Sequence, residues 1–259
     1  MRGLIIAGNW KMNGLIEEAV QLVKDIQPSE NHNIETIVSP PFTALNSVNQ
    51  YLNTTNSGKR GNIVLAAQNV FWEEKGAFTG EISPIMLANI GCRYVIIGHS
   101  ERRQYFNESN ESINKKIKAS LKANLKCIVC VGETLKQREN NQTFSIIELQ
   151  IIRGFDKISP DALENCVIAY EPVWAIGTGK TASPEEADET HQFIRGEIYK
   201  MYNKIAAEKI KILYGGSVKP DNAKALFSKD NIDGALVGGA SLNADSFNKI
   251  IRESEKICG

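Results

Sequence analysis

The chain has 259 residues, 42% of them hydrophobic and 23% charged, which is enough to bury a sizeable core in one or two domains and also suits one barrel of about 250 residues. Lysine plus arginine and aspartate plus glutamate both number 30, so there is no global field to gather nucleic acid or an anionic membrane. An anionic ligand has to be caught locally.

The first residues, MRGLIIAGNW, carry one arginine and an apolar run too short for a signal segment or a membrane span, so the expectation is a cytoplasmic protein. The Asn-x-Ser/Thr matches at Asn53, Asn107, Asn110 and Asn141 then read as chance patterns. Five scattered cysteines do not resemble a disulfide framework. Cys127-Ile-Val-Cys130 lies in the β-branched run KCIVCV, where residues three apart face opposite sides, so core packing is expected rather than a metal or redox site. His32, His99 and His191 form no ligand motif, and no catalytic metal is expected.

In chain order, short apolar runs begin at Leu4 (LIIAGN), Thr36 (TIVS), Ile63 (IVLAAQ), Tyr94 (YVIIGH), Cys127 (CIVCVG), Val167 (VIAYE), Ile210 (IKILYG) and Gly234 (GALVGG). Most are continuously hydrophobic, as expected of strands covered on both faces in a parallel sheet. Between them lie segments with helical spacing, such as IEEAVQLVKDI, and SPEEADETHQFIRGEIYKMY, where Ser183 can cap and Pro184 suits the first turn. ADSFNKIIRESEKI closes the chain in the same style. This alternation predicts a (β/α)8 barrel over residues 1–259 as one domain, with a doubly wound sheet as the structural alternative. The polar stretch TTNSGKRGN, from Thr54 to Asn62, reads as a surface loop, and Gly196 interrupts a helical pattern at a cost of about 1 kcal/mol relative to Ala.

In such a barrel the residues at the C-terminal ends of the strands share one face, where active sites form. Asn9 and Lys11 follow the first strand, and in extended chain they point the same way. His99-Ser100-Glu101 follows the fourth strand and Glu171 the sixth. A carboxylate base, a neutral imidazole, an ammonium and an amide suit proton abstraction next to a carbonyl, with Lys11 and His99 serving the oxygen where charge develops. A lone lysine is more often a solvated charge, and a lone histidine more often a loop or core residue. Glu171 is harder to dismiss, because a carboxylate directly after VIAY is costly to bury without a purpose. YGGSV and VGGAS follow the seventh and eighth strands, where barrels commonly bind phosphate, and a helix starting after Gly239 would add its positive end. YEPVWAIGTGKTA reads as a lid: Pro172 stiffens the exit from Glu171, an exposed Trp174 and Ile176 form an apolar body, and Gly177 and Gly179 precede a hinge at Lys180 to Ala182.

AGNWKMNG, AAQN with GAFTGEIS, GHSERR, AYEPVWAIGTGKTA, LYGGSV and LVGGASL occur in that order, and through them the chain resembles the triosephosphate isomerase family over nearly its full length. The resemblance implies a single-domain (β/α)8 TIM barrel, eight parallel strands with surrounding helices, and cofactor-free interconversion of dihydroxyacetone phosphate and D-glyceraldehyde 3-phosphate through a cis-enediolate. It implies Glu171 as the proton shuttle and neutral His99 as electrophile, supported by a helix N-terminus after Ser100. Lys11 would hold substrate, Asn9 would help the oxyanion, and Glu101 would order Lys11 and His99. Gly177, Ser217, Gly238 and Gly239 would donate to the phosphate. The resemblance further implies a homodimer through the loop from Asn69 to Ile82, with Thr79 near the partner active site. Two other readings stay open at this stage: a Schiff-base aldolase using Lys11, and a catalytically silent barrel that binds a metabolite or a protein.

Overall fold

A computed structural model describes residues 2–55, 63–175 and 182–258. Among them the strands β1 (Leu4–Asn9), β2 (Ile34–Ser39), β3 (Ile63–Ala67), β4 (Tyr94–Ile97), β5 (Lys126–Val131), β6 (Cys166–Tyr170), β7 (Lys211–Tyr214) and β8 (Gly234–Val237) pair in sequence order. Every pairing is parallel, and β8 returns to β1 through Ile5↔Gly234 to Gly8↔Val237, so the sheet closes into a barrel. Closure explains the unbroken apolar runs, since each strand is buried on both faces.

Alternate residues divide between two cores. Ile5, Ala7, Ile37, Ile96, Ile128 and Leu213 fill the barrel interior. Leu4, Ile6, Val38, Val95, Val129 and Ile212 point outward into a larger core beneath the helices. Fully burying one such side chain contributes about 1.5–3 kcal/mol, so both layers drive closure. Cys127 belongs to the outer core and Cys130 to the inner one, as strand alternation requires.

The helices are α1 (Ile16–Asp25), α2 (Phe42–Thr55), α3 (Pro84–Asn89), α4 (Ser100–Tyr105), α5 (Asn110–Lys122), α6 (Leu135–Glu139), α7 (Thr143–Gly154), α8 (Pro160–Leu163), α9 (Pro184–Met201), α10 (Lys204–Lys209), α11 (Pro220–Phe227) and α12 (Ala244–Cys258). None is long and apolar enough to cross a membrane. At the start of α9, Ser183 Oγ accepts the Glu186 N–H at 3.1 Å, and the Glu186 carboxylate accepts the Ser183 N–H at 2.9 Å. This capping box satisfies two backbone donors at once and fixes where the helix begins. The helix then runs unbroken through Gly196.

α2 continues through Thr54 and Thr55, so the polar stretch expected to be loop from Thr54 starts inside a helix. Its remainder, 56–62, lies outside the described residues.

Candidate active site

β1 delivers Asn9 to the C-terminal mouth of the barrel, where its side-chain oxygen accepts the Lys11 N–H at 3.1 Å. The chain does not stay extended here, because Lys11 takes a left-handed φ of 54°. The expectation that Asn9 and Lys11 point alike because both are extended is therefore corrected. A turn held by the Asn9 amide brings both to the same cavity. Gln68, which sequence reasoning left without a role, donates to the carbonyls of Lys11 and Ser39 at 2.8 Å each and pins that turn. The Lys11 ammonium reaches Glu101 at 2.6 Å.

His99 caps α4. Its Nδ1 accepts the Glu101 N–H at 3.3 Å, which leaves Nε2 as the protonated nitrogen of the neutral ring. The Glu101 carboxylate stands 3.6 Å from the same Nδ1, but no proton remains there for it to accept. The preceding Gly98 is held from both sides. Its N–H goes to the buried Glu108 at 3.2 Å, and its carbonyl takes the Arg103 Nε–H at 2.8 Å.

Glu171 leaves β6 with its N–H on the Val131 carbonyl at 2.7 Å and is almost fully buried, at 2% exposure. One carboxylate oxygen accepts the Ser100 N–H at 2.8 Å, and the other lies 2.8 Å from His99 Nε2. Burial pushes the Glu171 carboxyl up, but His99, the Ser100 N–H and Lys11 outweigh it and hold the group below its ordinary range. Burial pushes the His99 imidazole down, while Glu171 and then Glu101 pull it up, and the net direction is up.

Two glycines admit this arrangement. A Cβ at Gly132 would land on the Glu171 carbonyl, and one at Gly215 would lie 2.9 Å from Glu171 Cγ and 3.0 Å from the Tyr170 carbonyl. Both glycines follow strands adjacent to β6, and one of them, Gly215, lies in the YGGSV motif. The glutamate itself therefore calls for glycine at that position.

Asn9, Lys11, His99 and Glu171 line one cavity of about 430 Å³ together with Ser217, Gly238 and Gly239. Lys219, absent from the expectations, lines it too. Beyond Gly238 the expected helix is only a 3₁₀ turn, Gly239–Leu242, because the Gly238 carbonyl takes both the Ser241 N–H at 2.8 Å and its hydroxyl at 2.7 Å. α12 starts at Ala244, so a long helix dipole does not begin at Gly239.

Trp174 corrects another expectation. It is buried rather than exposed, and its indole N–H donates to Glu133 at 2.9 Å. Ile176, Gly177, Gly179, Lys180 and Thr181 lie outside the described residues.

Carbon-acid chemistry suits this set. A buried carboxylate, an imidazole N–H and an ammonium border a space of metabolite size that the glycine-bearing segments after β7 and β8 also line. No group of three or more His, Cys, Asp or Glu able to hold a metal occurs among the described residues.

Residues 4–254 match the family model described as triosephosphate isomerase. The triosephosphate isomerase of Geotalea uraniireducens (strain Rf4) is 53% identical over 98% of this chain and 100% of its own. That of Endomicrobium trichonymphae is 54% identical over the same shares, and that of Clostridium botulinum (strain ATCC 19397 / Type A) is 51% identical over 97% and 99%.

Proposed function

The chain belongs to the triosephosphate isomerase family and interconverts dihydroxyacetone phosphate and D-glyceraldehyde 3-phosphate, and on that premise we propose how its residues divide the work. Glu171 removes the proton from the carbon next to the carbonyl. The C–H electron pair becomes the new C=C bond of a cis-enediolate, and negative charge moves to the carbonyl oxygen. His99 Nε2–H, Lys11 and Asn9 stabilise that oxygen; His99 Nε2 gives it its proton and takes the proton of the neighbouring hydroxyl, whose oxygen becomes the new carbonyl as Glu171 returns its proton to the other carbon.

Both carboxylate oxygens of Glu171 are engaged, by Ser100 and His99, so reaching a substrate carbon requires the side chain to turn away from them. That motion removes the contact that raises the His99 pKa. Burial and the Glu101 N–H on Nδ1 then favour the neutral ring, whose Nε2–H is a donor well matched to an enediolate oxygen. Glu101 orders Lys11 through the 2.6 Å ion pair. Ser217, Gly238 and Gly239, which line the cavity, would hold the phosphate, with Gly177 assigned to the same role from sequence alone.

A homodimer accounts for the exposed apolar side chains among the connections after β1, β3 and β4. Met12 is 95% exposed, and Leu15, Phe78, Met86, Tyr105 and Phe106 are exposed as well. Phe78 neighbours Thr79 within the loop from Asn69 to Ile82, so that loop, with Thr79 near the partner active site, is the proposed contact. Sedimentation of a single species at monomer mass would overturn it. Free thiols at all five cysteines, four of them buried, accord with a reducing, cytoplasmic location.

One observation carries the catalytic reading: the 2.8 Å contact between Glu171 and His99 at the wall of the cavity that Lys11 also enters. A coupled assay with each triose phosphate tests it directly. Turnover in both directions by the wild type, lost in Glu171→Gln and His99→Gln, is expected. Borohydride trapping of substrate on Lys11 would instead favour the aldolase reading.

A further inference from the structure

Glu133 follows β5 and is fully buried, yet it carries a carboxylate. Its oxygens accept the Tyr170 hydroxyl at 3.2 Å each, and one of them accepts the Trp174 indole N–H at 2.9 Å. Its backbone carbonyl accepts the Val173 N–H at 3.1 Å. Tyr170 precedes Glu171 immediately, and Val173 and Trp174 follow it closely. Glu133 thus grips the chain on both sides of the proposed base.

Three acceptor contacts from one buried carboxylate need a compensating cation, and Arg138 on α6 supplies it. Its guanidinium lies 3.3 Å from the Glu133 carboxylate and 4.3 Å over the Trp174 ring. The other arm of the fork reaches Glu186 at 2.8 Å. Glu186 is the capping-box residue at the start of α9, so the same side chain touches the chain just before residue 176 and just after residue 181. A planar fork with donors on two sides can bridge two carboxylates while stacking on an indole; an ammonium cannot do all three.

We propose that Arg138 is a positioning residue for Glu171, clamping the Glu133–Trp174 pair behind the β6 exit and tying it to the N-terminus of α9. Arg138 does not line the cavity, and the partners of its guanidinium among the described residues are Glu133, Trp174 and Glu186. Burial pushes the Glu133 carboxyl up, and the Trp174 and Tyr170 hydrogen bonds and Arg138 pull against it, so losing Arg138 weakens the charged form that accepts those bonds. The geometry of proton abstraction is sensitive to such a shift, because the base must meet a C–H bond within a fraction of an ångström.

The inference rests on Glu171 being the base, so Glu171→Asp is measured beside Arg138→Met, Arg138→Lys and Glu186→Gln. The readouts are kcat, KM and the primary deuterium isotope effect with substrate labelled at the transferred position. Arg138→Met is expected to lower kcat roughly tenfold or more, raise the isotope effect and change KM much less, with Arg138→Lys intermediate. Glu186→Gln keeps its cap through the amide oxygen and should give a smaller change in the same direction. A purely structural role would lower the unfolding midpoint and leave the isotope effect of the folded enzyme unchanged. Wild-type kcat and isotope effect in Arg138→Lys and Glu186→Gln would overturn the proposal, even if Arg138→Met fails to fold. Wild-type turnover in Glu171→Asp would instead sink the assignment of the base.

Discussion

Glu171 Oε1 lies 2.8 Å from His99 Nε2 although 71 residues separate Glu171 from Ser100, whose N–H holds the other oxygen. The two side chains come from β6 and from the turn after β4, and the closed barrel brings both ends to one mouth. Shortening one member tests whether that placement matters for chemistry. Glu171→Asp keeps the charge but withdraws the carboxylate by one methylene. Turnover should fall by about 10²-fold or more with circular dichroism unchanged, since an ångström of misplacement costs on that order. Steady-state kinetics checks it, and a kcat within a factor of two of wild type would exclude Glu171 as the base.

Gly215→Ala acts on the same carboxylate from the neighbouring strand end. The added Cβ would lie 2.9 Å from Glu171 Cγ, closer than atoms tolerate, and a tight 3.0 Å from the Tyr170 carbonyl, so the glutamate has to move. We expect kcat to drop roughly tenfold or more, with a smaller effect on binding of a phosphorylated inhibitor. Inhibitor titration beside kinetics separates the two. An equal loss in both would mean that the ligand, not Glu171, needs the glycine.

Gly196→Ala should stabilise the protein. Gly196 sits in the interior of α9, and nothing lies within 4 Å of a Cβ built there. Replacing glycine in a helix gains about 0.5–1 kcal/mol from propensity and a less flexible unfolded chain. Urea unfolding reads this as a higher midpoint at unchanged slope, and activity should not change.

His191 predicts how stability depends on pH. It is fully buried, its Nδ1 is 3.2 Å from the Asn231 carbonyl, and burial pushes its pKa down from 6.5 to about 3. Because the folded-state value is the lower one, the unfolded chain binds the extra proton between these pH values. The contribution is therefore complete above about pH 6.5 and is lost as the pH falls toward 3, with a limiting slope of roughly 1.4 kcal/mol per pH unit. His191→Phe removes the titration, so its stability relative to wild type should improve between pH 7 and pH 5. A constant difference over that range would refute the assignment.

The eight apolar runs, the cap at Ser183 and the outward and inward halves of Cys127-Ile-Val-Cys130 were legible in the sequence, because they follow from local periodicity and hydrogen-bonding chemistry. So were the positions of Asn9 at the end of its strand and of Lys11, His99, Glu101 and Glu171 beyond theirs, since parallel closure puts every strand end on one face. Contacts between distant segments were not. Gln68 pins the Lys11 turn, and Glu133 and Arg138 bury Trp174, through long side chains whose partners have no fixed spacing in the chain. An indole that reads as an exposed lid residue becomes a buried donor once a carboxylate from another βα unit reaches it. Sequence thus determined which elements form and which residues stand at their ends, because those depend on neighbours along the chain. Tertiary structure alone decided which oxygen meets which proton, because hydrogen bonds between strands depend on register and closure that no local pattern contains.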